Sequence, residues 1–209
     1  MSYQIGIISD VHSSPEPLRE ALALFEQKAV DRVICAGDIA GYFDTVTPVV
    51  ELLQASGCDA IVGNHDQYFL EKSSPETYPQ AYEYLSRLPT TLSFEVEGKR
   101  ILVVHANPPD EQHGGIKLLN QDGELIEERL ALWRENLKNL ACDILIVGHT
   151  HQVYAEQLGG VFVINPGSSA FNYSCAILTL PEMQVDTYAL TGREIIKCWR
   201  FSLLREKQQ

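Results

Sequence analysis

The stretch "IVGNHDQY", residues 61–68, decides how this sequence is interpreted, because an apolar run stops there at an amide, an imidazole and a carboxylate. A turn after a buried strand needs Gly63 and tolerates Asn64. Such a turn does not require His65. An ordinary Asn-His-Asp turn would be the simplest interpretation if the pattern occurred only once in the chain. The same pattern, however, recurs elsewhere in the chain.

Four other predicted strands also end at ligand-type side chains. These strands are the apolar runs that end near residues 9, 36, 104 and 147. The side chains that follow them are Asp10 with His12, Asp38, His105, and His149 with His151. Ligands of α/β sheets gather beyond the carboxyl ends of the strands, so we expect these groups to converge at one edge of the sheet.

The local spacing supports convergence. In extended chain alternate side chains point the same way, so Asp-Val-His at 10–12 and His-Thr-His at 149–151 each present two ligands on one side. Glycine precedes Asp38, Asn64 and His149, which permits sharp turns and close approach to an ion.

Each group has a simpler explanation when taken alone. A strand-end aspartate often caps a helix, and a buried histidine such as His105 is often only hydrogen-bonded within a core. The joint pattern argues otherwise, because five of the six histidines lie at strand ends and only His113 falls in a loop, where a surface position is expected.

The order of elements predicts an α/β fold. Strands at 3–9, 32–36 and 59–62 alternate with helices that begin near Pro15 and Pro48, which implies parallel strands and right-handed crossovers. The remaining predictions are a polar segment at 67–90 with a helix near its end, a hairpin at 91–105, an amphipathic helix at 124–140, a strand at 143–147 and further short strands, including 194–204.

Composition bounds the class of protein. The 209 residues, 45% apolar and 21% charged, suit one soluble domain over 1–209. The absence of a membrane-length apolar run, of a leader-like N-terminus and of CxxC pairs predicts a cytoplasmic protein with reduced thiols. A net charge of −12 disfavours a general nucleic-acid surface, although bound cations can reverse the sign locally. Homo-oligomer formation is left open.

The donor set indicates which ions would bind. Carboxylate, imidazole and amide donors suit Mn²⁺, Fe, Co²⁺, Ni²⁺ or Zn²⁺, of which we favour Mn²⁺. Seven donors are too many for one open catalytic site, and they suit two ions about 3.5–4 Å apart that are bridged by a carboxylate.

The sequence resembles the calcineurin-like metallophosphoesterases. The resemblance is carried over residues 3–170 by the blocks "DVH" (10–12), "GD" (37–38), "GNHD" (63–66), "H" (105) and "GHTH" (148–151). "GDIAGY" and "VINPGSS" further resemble the small YfcE-like members. The fold that this implies is an α/β sandwich of the α+β kind, in which two facing mixed β-sheets are flanked by helices in four layers.

The resemblance also implies roles for the residues. The first ion would be held by Asp10, His12 and His151, the second by Asn64, His105 and His149, and Asp38 would bridge them. His65 would contact the substrate phosphate next to Asn64 and protonate the leaving oxygen, Asp66 would orient His65, and metal-bound hydroxide would attack phosphorus.

Departures from the family's sequence pattern narrow the range of activities that we expect. Phosphoprotein phosphatases and symmetrical diadenosine tetraphosphate hydrolases carry an arginine soon after the bridging aspartate, and "GDIAGYF" has none. We therefore expect a phosphodiesterase, or else a phosphomonoesterase, acting on a small or nucleotide substrate, with Tyr42, Asn107 and His113 as candidate rim residues. The alternatives are a nucleotide or phosphoprotein phosphatase and a non-catalytic interaction module like the retromer subunit of this fold. The complete ligand set favours an enzyme.

Overall fold

Residues 2–200 are the part of the chain that this computed structural model describes, and they contain two five-stranded sheets and five helices. The first sheet contains β1 (Tyr3–Ile8), β2 (Arg32–Cys35), β3 (Asp59–Ala60), β9 (Ser174–Leu180) and β10 (Gln184–Ala189). The second contains β4 (Thr91–Val96), β5 (Lys99–Val104), β6 (Ile144–Ile146), β7 (Val153–Leu158) and β8 (Val161–Pro166). The helices are α1 (Pro15–Lys28), α2 (Val46–Ala55), α3 (Asn64–Lys72), α4 (Pro79–Ser86) and α5 (Glu127–Leu137).

Each sheet contains three neighbouring parallel strands, and its other strand pairings are antiparallel. The first runs in the order β10-β9-β1-β2-β3, with β1, β2 and β3 parallel and β9 antiparallel to β1. The second runs β4-β5-β6-β8-β7, with β5, β6 and β8 parallel and both edge strands antiparallel. The parallel strands of each sheet therefore deliver their carboxyl ends to one side.

The two sheets pack face to face. Along β1, Ile5 and Ile7 point into the space between the sheets, whereas Ile8 points to the helices, as strand alternation requires. The second sheet fills the same space with Ile101, Val103, Ile144, Ile146 and Ile164, all fully buried.

Helices cover both outer faces of the sandwich. Apolar side chains of α1, α2 and α4 pack on the first sheet, and those of α5 pack on the second. The members of these outer cores include Phe25, Leu53, Leu85, Leu130 and Leu137. The four-layer arrangement of two mixed sheets flanked by helices confirms the predicted fold class. No helix within residues 2–200 is both long enough and apolar enough to cross a membrane.

One predicted strand is wrong. Residues 194–200 form only an isolated antiparallel bridge, between Cys198 and Gln152, and residues 201–204 of the predicted strand lie outside the described part. The segment meets the start of β7 through two backbone hydrogen bonds, from Val153 to Lys197 and from Trp199 to His151. It is held there by stacking of Trp199 on Phe171 rather than by a ladder, which explains its apolar character.

The polar segment after β3 also differs from the prediction. β3 spans only two residues, and Asn64 is already the first residue of α3. The helix begins there because the Asp66 carboxylate accepts a hydrogen bond from the Gly63 amide at 2.8 Å, which satisfies a free N–H group at the helix N-terminus. The ligand-type residues that appeared to end a strand therefore open a helix.

Candidate metal centre

The predicted ligands meet at the carboxyl ends of parallel strands, but these strands belong to two sheets. The first sheet supplies Asp10 and His12 after β1, Asp38 after β2 and Asn64 after β3, and the second supplies His105 after β5 and both His149 and His151 after β6. The expectation of a single sheet edge is therefore corrected. The face-to-face packing of the sheets places the two edges side by side.

One group of donors lies between the two sheets on the β1 side. His12 Nε2 is 3.0 Å from His151 Nε2, and Asp10 Oδ1 is 3.2 Å from His151 Nε2 and 3.8 Å from His12 Nε2. All three side chains are buried. The arrangement brings together the three residues expected at the first ion.

A second group lies on the β5 side. Asn64 Oδ1 is 3.0 Å from His105 Nε2 and 2.9 Å from His149 Nδ1, and Asp38 Oδ1 is 3.3 Å from His105 Nε2. One amide oxygen thus faces two imidazole nitrogens, and these are the residues expected at the second ion.

Asp38 lies between the two groups. Its Oδ1 faces His105, and its Oδ2 is 4.0 Å from His12 Nε2. A single buried carboxylate therefore reaches both sets of donors, as a bridging ligand must.

The donors fit divalent transition metals. Two ligand atoms bound at right angles to an ion at about 2.0–2.1 Å lie about 3 Å apart, which is the separation seen between His12 and His151. Mixed oxygen and imidazole donors match ions from Mn²⁺ to Zn²⁺. In residues 2–200, three Asp/His groups have ligand atoms within 4.8 Å of one another: Asp10-His12-His151, Asp38-His105-His149 and His12-Asp38-His65.

The charges of the centre also favour cations. Burial tends to raise the pKa of Asp10, but the adjacent histidines hold it well below its usual range. The pKa of Asp38 is likewise lowered, since burial raises it but His105 and His12 together outweigh that effect. Burial lowers the pKa of His12 and of His149 to about 4, so both rings are neutral near pH 7 and have a lone pair for a metal. His105 differs: burial opposes its charge, but Asp38 raises its pKa to about 9, so a metal ion that binds this ring must displace its proton.

The backbone at the centre is unusual. Five of the seven predicted ligands have left-handed φ angles: Asp10 (51°), His12 (46°), Asp38 (54°), His149 (63°) and His151 (49°). Each such conformation costs a non-glycine residue of order 1–3 kcal/mol, and such residues cluster at functional sites. No feature of the sequence indicated this backbone conformation, because glycine stands at none of these positions.

His65 lies beside both groups of donors. Its amide donates a hydrogen bond to Asp38 Oδ1 at 2.8 Å, and its ring centroid is 4.8 Å from that of His12 and 4.7 Å from that of Tyr42. This half-buried ring therefore adjoins the candidate metal centre. Distance alone would also allow it to act as a ligand together with His12 and Asp38.

Asp66 has different partners from those expected. Its Oδ1 accepts a hydrogen bond from the Ala40 amide at 2.7 Å, and its Oδ2 accepts one from the Gly63 amide. The carboxylate is fully buried, and no described contact joins it to the His65 ring. Asp66 therefore fixes the start of α3 and the Ala40 loop.

Several supporting residues were not predicted. In the "NPGSS" stretch, the Ser168 hydroxyl donates to the Asp10 carbonyl, and the Asn165 amide donates to the Gly148 carbonyl at 2.9 Å. The Ser9 hydroxyl donates to Asp10 Oδ2 at 2.6 Å. The His151 ring stacks on Phe171, with centroids 5.4 Å apart. These contacts hold the ligands in place, and only the "NPGSS" motif gave any sequence signal.

The surroundings of the centre were predicted in part. Tyr42 and His113 line a cavity that opens beside Asn64 and His65, whereas Asn107 uses its side chain within its own loop, accepting from the Gly115 amide at 3.1 Å. A smaller cleft of about 280 Å³ adjoins Asp38 and the histidines on the other side. Its lining includes two cationic side chains that were not predicted from the sequence, Lys117 and Arg200.

Gly63→Ala should weaken metal binding. A Cβ atom at Gly63 would overlap the Asp38 carboxylate and its amide nitrogen, so Asp38 must move. We expect about 1–3 kcal/mol of lost stability and a roughly 10–100-fold loss of metal affinity. Gly98→Ala is the matched control: Gly98 has φ +68° but open space around it, so this variant should lose about 1–2 kcal/mol and keep its metal. Thermal melts and metal titration measure both effects, and equal metal affinity in the two variants would contradict the prediction.

The fold and the donor set together define an α/β sandwich protein with a candidate binuclear metal centre. The family model for the calcineurin-like phosphoesterase superfamily domain matches residues 3–183. This chain belongs to that superfamily.

The chain is also similar to known proteins in sequence and in fold. An uncharacterized protein of Methanocaldococcus jannaschii is 26% identical over 179 residues, covering 78% of this chain and 68% of the relative. A phosphodiesterase of the same organism is 26% identical over 195 residues, covering 92% and 98% of the two chains. The crystal structure of a hypothetical protein from Pyrococcus horikoshii shares the fold, with a TM-score of 0.74 at 17% identity over 98% of this chain and 92% of that one.

Proposed function

We propose that this protein is a two-metal phosphoesterase that hydrolyses a small phosphodiester, with Mn²⁺ as the favoured ion. The observation that carries the proposal is the position of the Asp38 carboxylate between two sets of buried donors. The name of the M. jannaschii phosphodiesterase supports diester hydrolysis, since the two chains match over nearly their whole lengths.

Seven residues would hold the ions: Asp10, His12 and His151 the first, Asn64, His105 and His149 the second, and Asp38 both. When bound, such ions polarise the phosphoryl group and provide a water-derived nucleophile near neutral pH. The protein holds five of these ligands in left-handed backbone conformations, and hydrogen bonds from Ser168 and Asn165 support the neighbouring backbone.

His65 would act as the general acid that protonates the leaving group. Its ring lies beside both sets of donors and next to Tyr42, at the boundary between the centre and the neighbouring cavity. From this position it can contact the phosphate next to Asn64 and give its proton to the departing oxygen as the ester bond breaks.

Lys117 and Arg200 would add positive charge to the phosphate site. Both line the cleft together with Asp38 and His149, and within the described part of the chain Arg200 Nε is buried without a hydrogen-bond partner. Phosphate oxygens are suitable acceptors for such a donor. The two cations would offset the overall charge of −12 where an anionic substrate binds.

A non-catalytic interaction module is the second candidate. Such a module needs no complete set of metal donors, whereas all seven are present and close together here. A phosphoprotein phosphatase is less favoured, because the arginine that such enzymes carry after the bridging aspartate is missing from "GDIAGYF".

The protein should bind two divalent ions per chain and lose its activity when they are removed. Stoichiometry is measured by elemental analysis after loading with Mn²⁺, Zn²⁺, Ni²⁺ or Co²⁺. Activity is measured by hydrolysis of 4-nitrophenyl monoesters and bis-4-nitrophenyl phosphate with and without a chelator. Because ligand binding to the native state stabilises it, the loaded protein should also melt at a higher temperature. Undiminished hydrolysis in chelator, with no metal taken up, would contradict the proposal.

A further inference from the structure

An aromatic cavity of about 730 Å³ opens directly beside His65. We call it the aromatic cavity, and its ring-bearing walls are Tyr42, Phe43, Tyr68, Phe69 and Tyr78. Its volume lies in the range of about 300–1,000 Å³ that small-molecule sites occupy. Nothing in the metal chemistry requires aromatic side chains at this place.

The exposed aromatic residues of the protein are concentrated there. Tyr42 is 44% exposed, Phe43 51% and Tyr68 61%, and all three line the aromatic cavity. In residues 2–200, the other large apolar side chains exposed to this degree are Leu125 and Leu132, which lie outside it. Exposed aromatic side chains grouped in a concave site are typical of a binding surface.

Polar groups complement the aromatic walls. Asp44, Gln67, Glu71, Lys72 and His113 also line the aromatic cavity. Hydrogen-bond donors and acceptors of this kind can pair with the polar edge of a heterocycle, which an alkyl chain does not have. The two carboxylates also disfavour a further phosphate group at this end.

The aromatic cavity is continuous with the candidate metal centre. Asn64 and His65 belong to its wall, and Tyr42 lies 4.7 Å from His65 and 4.7 Å from His12 between ring centroids. A phosphate at the centre would thus have its leaving oxygen near His65 and the rest of the leaving group inside the aromatic cavity.

We infer that the aromatic cavity binds the nucleobase of a nucleoside leaving group, which makes the substrate a nucleoside phosphate ester. The inference rests on the proposed function. In the reaction, water adds to phosphorus, the bond from phosphorus to the nucleoside oxygen breaks, and His65 supplies the proton that this oxygen takes up. The base stacks on the aromatic walls while its edge meets the polar side chains.

Equilibrium binding of adenosine tests the inference, with ribose as the matched probe that lacks a base. The titration is done calorimetrically with the full chain, loaded with Mn²⁺ and also metal-free. Adenosine should bind saturably in both forms and at least about tenfold more tightly than ribose, since stacking of one base on an aromatic side chain is worth about 1–3 kcal/mol. Equal affinities for adenosine and ribose would overturn the inference.

Two variants localise the binding. Tyr68→Ala should weaken adenosine binding roughly tenfold. Leu132→Ala, which removes a similarly exposed side chain outside the aromatic cavity, should leave it unchanged. Equal behaviour of these variants would overturn the inference, and Phe43→Leu replaces Tyr68→Ala if circular dichroism shows that the latter is misfolded.

Hydrolysis of 4-nitrophenyl esters by the same preparation separates the two proposals. If the esters are cleaved but adenosine does not bind, the nucleobase assignment fails and the proposed function stands. If no ester is cleaved by the metal-loaded protein, the proposed function fails, and the assignment of the cavity to a leaving group fails with it.

Discussion

Asp38→Asn should abolish both metal binding and hydrolysis. Asp38 reaches both groups of donors, so the amide removes negative charge from two ions at once, whereas loss of any other ligand affects mainly one. A metal contributes several kcal/mol to the transition state, and we expect kcat/KM to fall by about 10³-fold or more.

The matched control for this change is Asp59→Asn. Asp59 is a half-exposed carboxylate that pairs with Arg32 at 2.7 Å on the same sheet, and its side chain is not part of the metal centre. The Asp59→Asn variant should keep two ions per chain and hydrolyse substrate at the wild-type rate. Elemental analysis and initial rates are compared for the three proteins, and thermal melts of the metal-free forms separate lost metal from lost folding. Full occupancy and full rate in Asp38→Asn would refute the bridging role.

His65→Ala should lower the rate without removing the metal. If His65 is the general acid, the loss should be roughly 10²–10⁴-fold for esters with poor leaving groups, because an alkoxide must be protonated as it departs. A nitrophenolate leaves as an adequate anion, so its esters should lose much less. A role in phosphate binding alone predicts equal losses, since both kinds of substrate share that contact.

The experiment measures kcat/KM over esters of graded leaving-group pKa for wild type, His65→Ala and His65→Gln. The glutamine variant keeps a polar group that can contact phosphate but cannot supply a proton at neutral pH. A steeper dependence on leaving-group pKa in both variants supports the acid role. Parallel lines, with partial rescue by glutamine, would assign His65 to phosphate binding. Loss of one ion would instead make it a ligand, which its distance from His12 and Asp38 also permits.

The sequence by itself determined the fold class and the candidate donors. The candidate donors each follow an apolar run: Asp10 with His12, Asp38, Asn64, His105, and His149 with His151. A strand, the residue at which it ends, and the spacing within "DVH" or "GHTH" are all properties of a few consecutive residues. Alternation of strands and helices is equally local. These features, together with the resemblance that they carry, were sufficient to predict a sandwich with a candidate metal centre.

Local patterns failed where a segment takes its conformation from distant contacts. Residues 194–200 are apolar enough for a strand, but they are fixed by the stacking of Trp199 on Phe171. Asp66 was expected next to the His65 ring, yet the Ala40 amide, 26 residues away, takes one of its oxygens.

Only the tertiary structure decided how the donors meet. His12 and His151 are 139 residues apart in sequence and 3.0 Å apart between their Nε2 atoms, and that approach requires two sheets to pack so that their strand ends adjoin. Three other features likewise depend on packing between remote segments. They are the left-handed backbone of five predicted ligands, the position of Lys117 and Arg200 in the cleft beside Asp38, and the aromatic cavity beside His65. Side-chain identity fixes which chemistry is available, but the distances that make it a site arise from burial of the two sheets against each other, which no short stretch of sequence encodes.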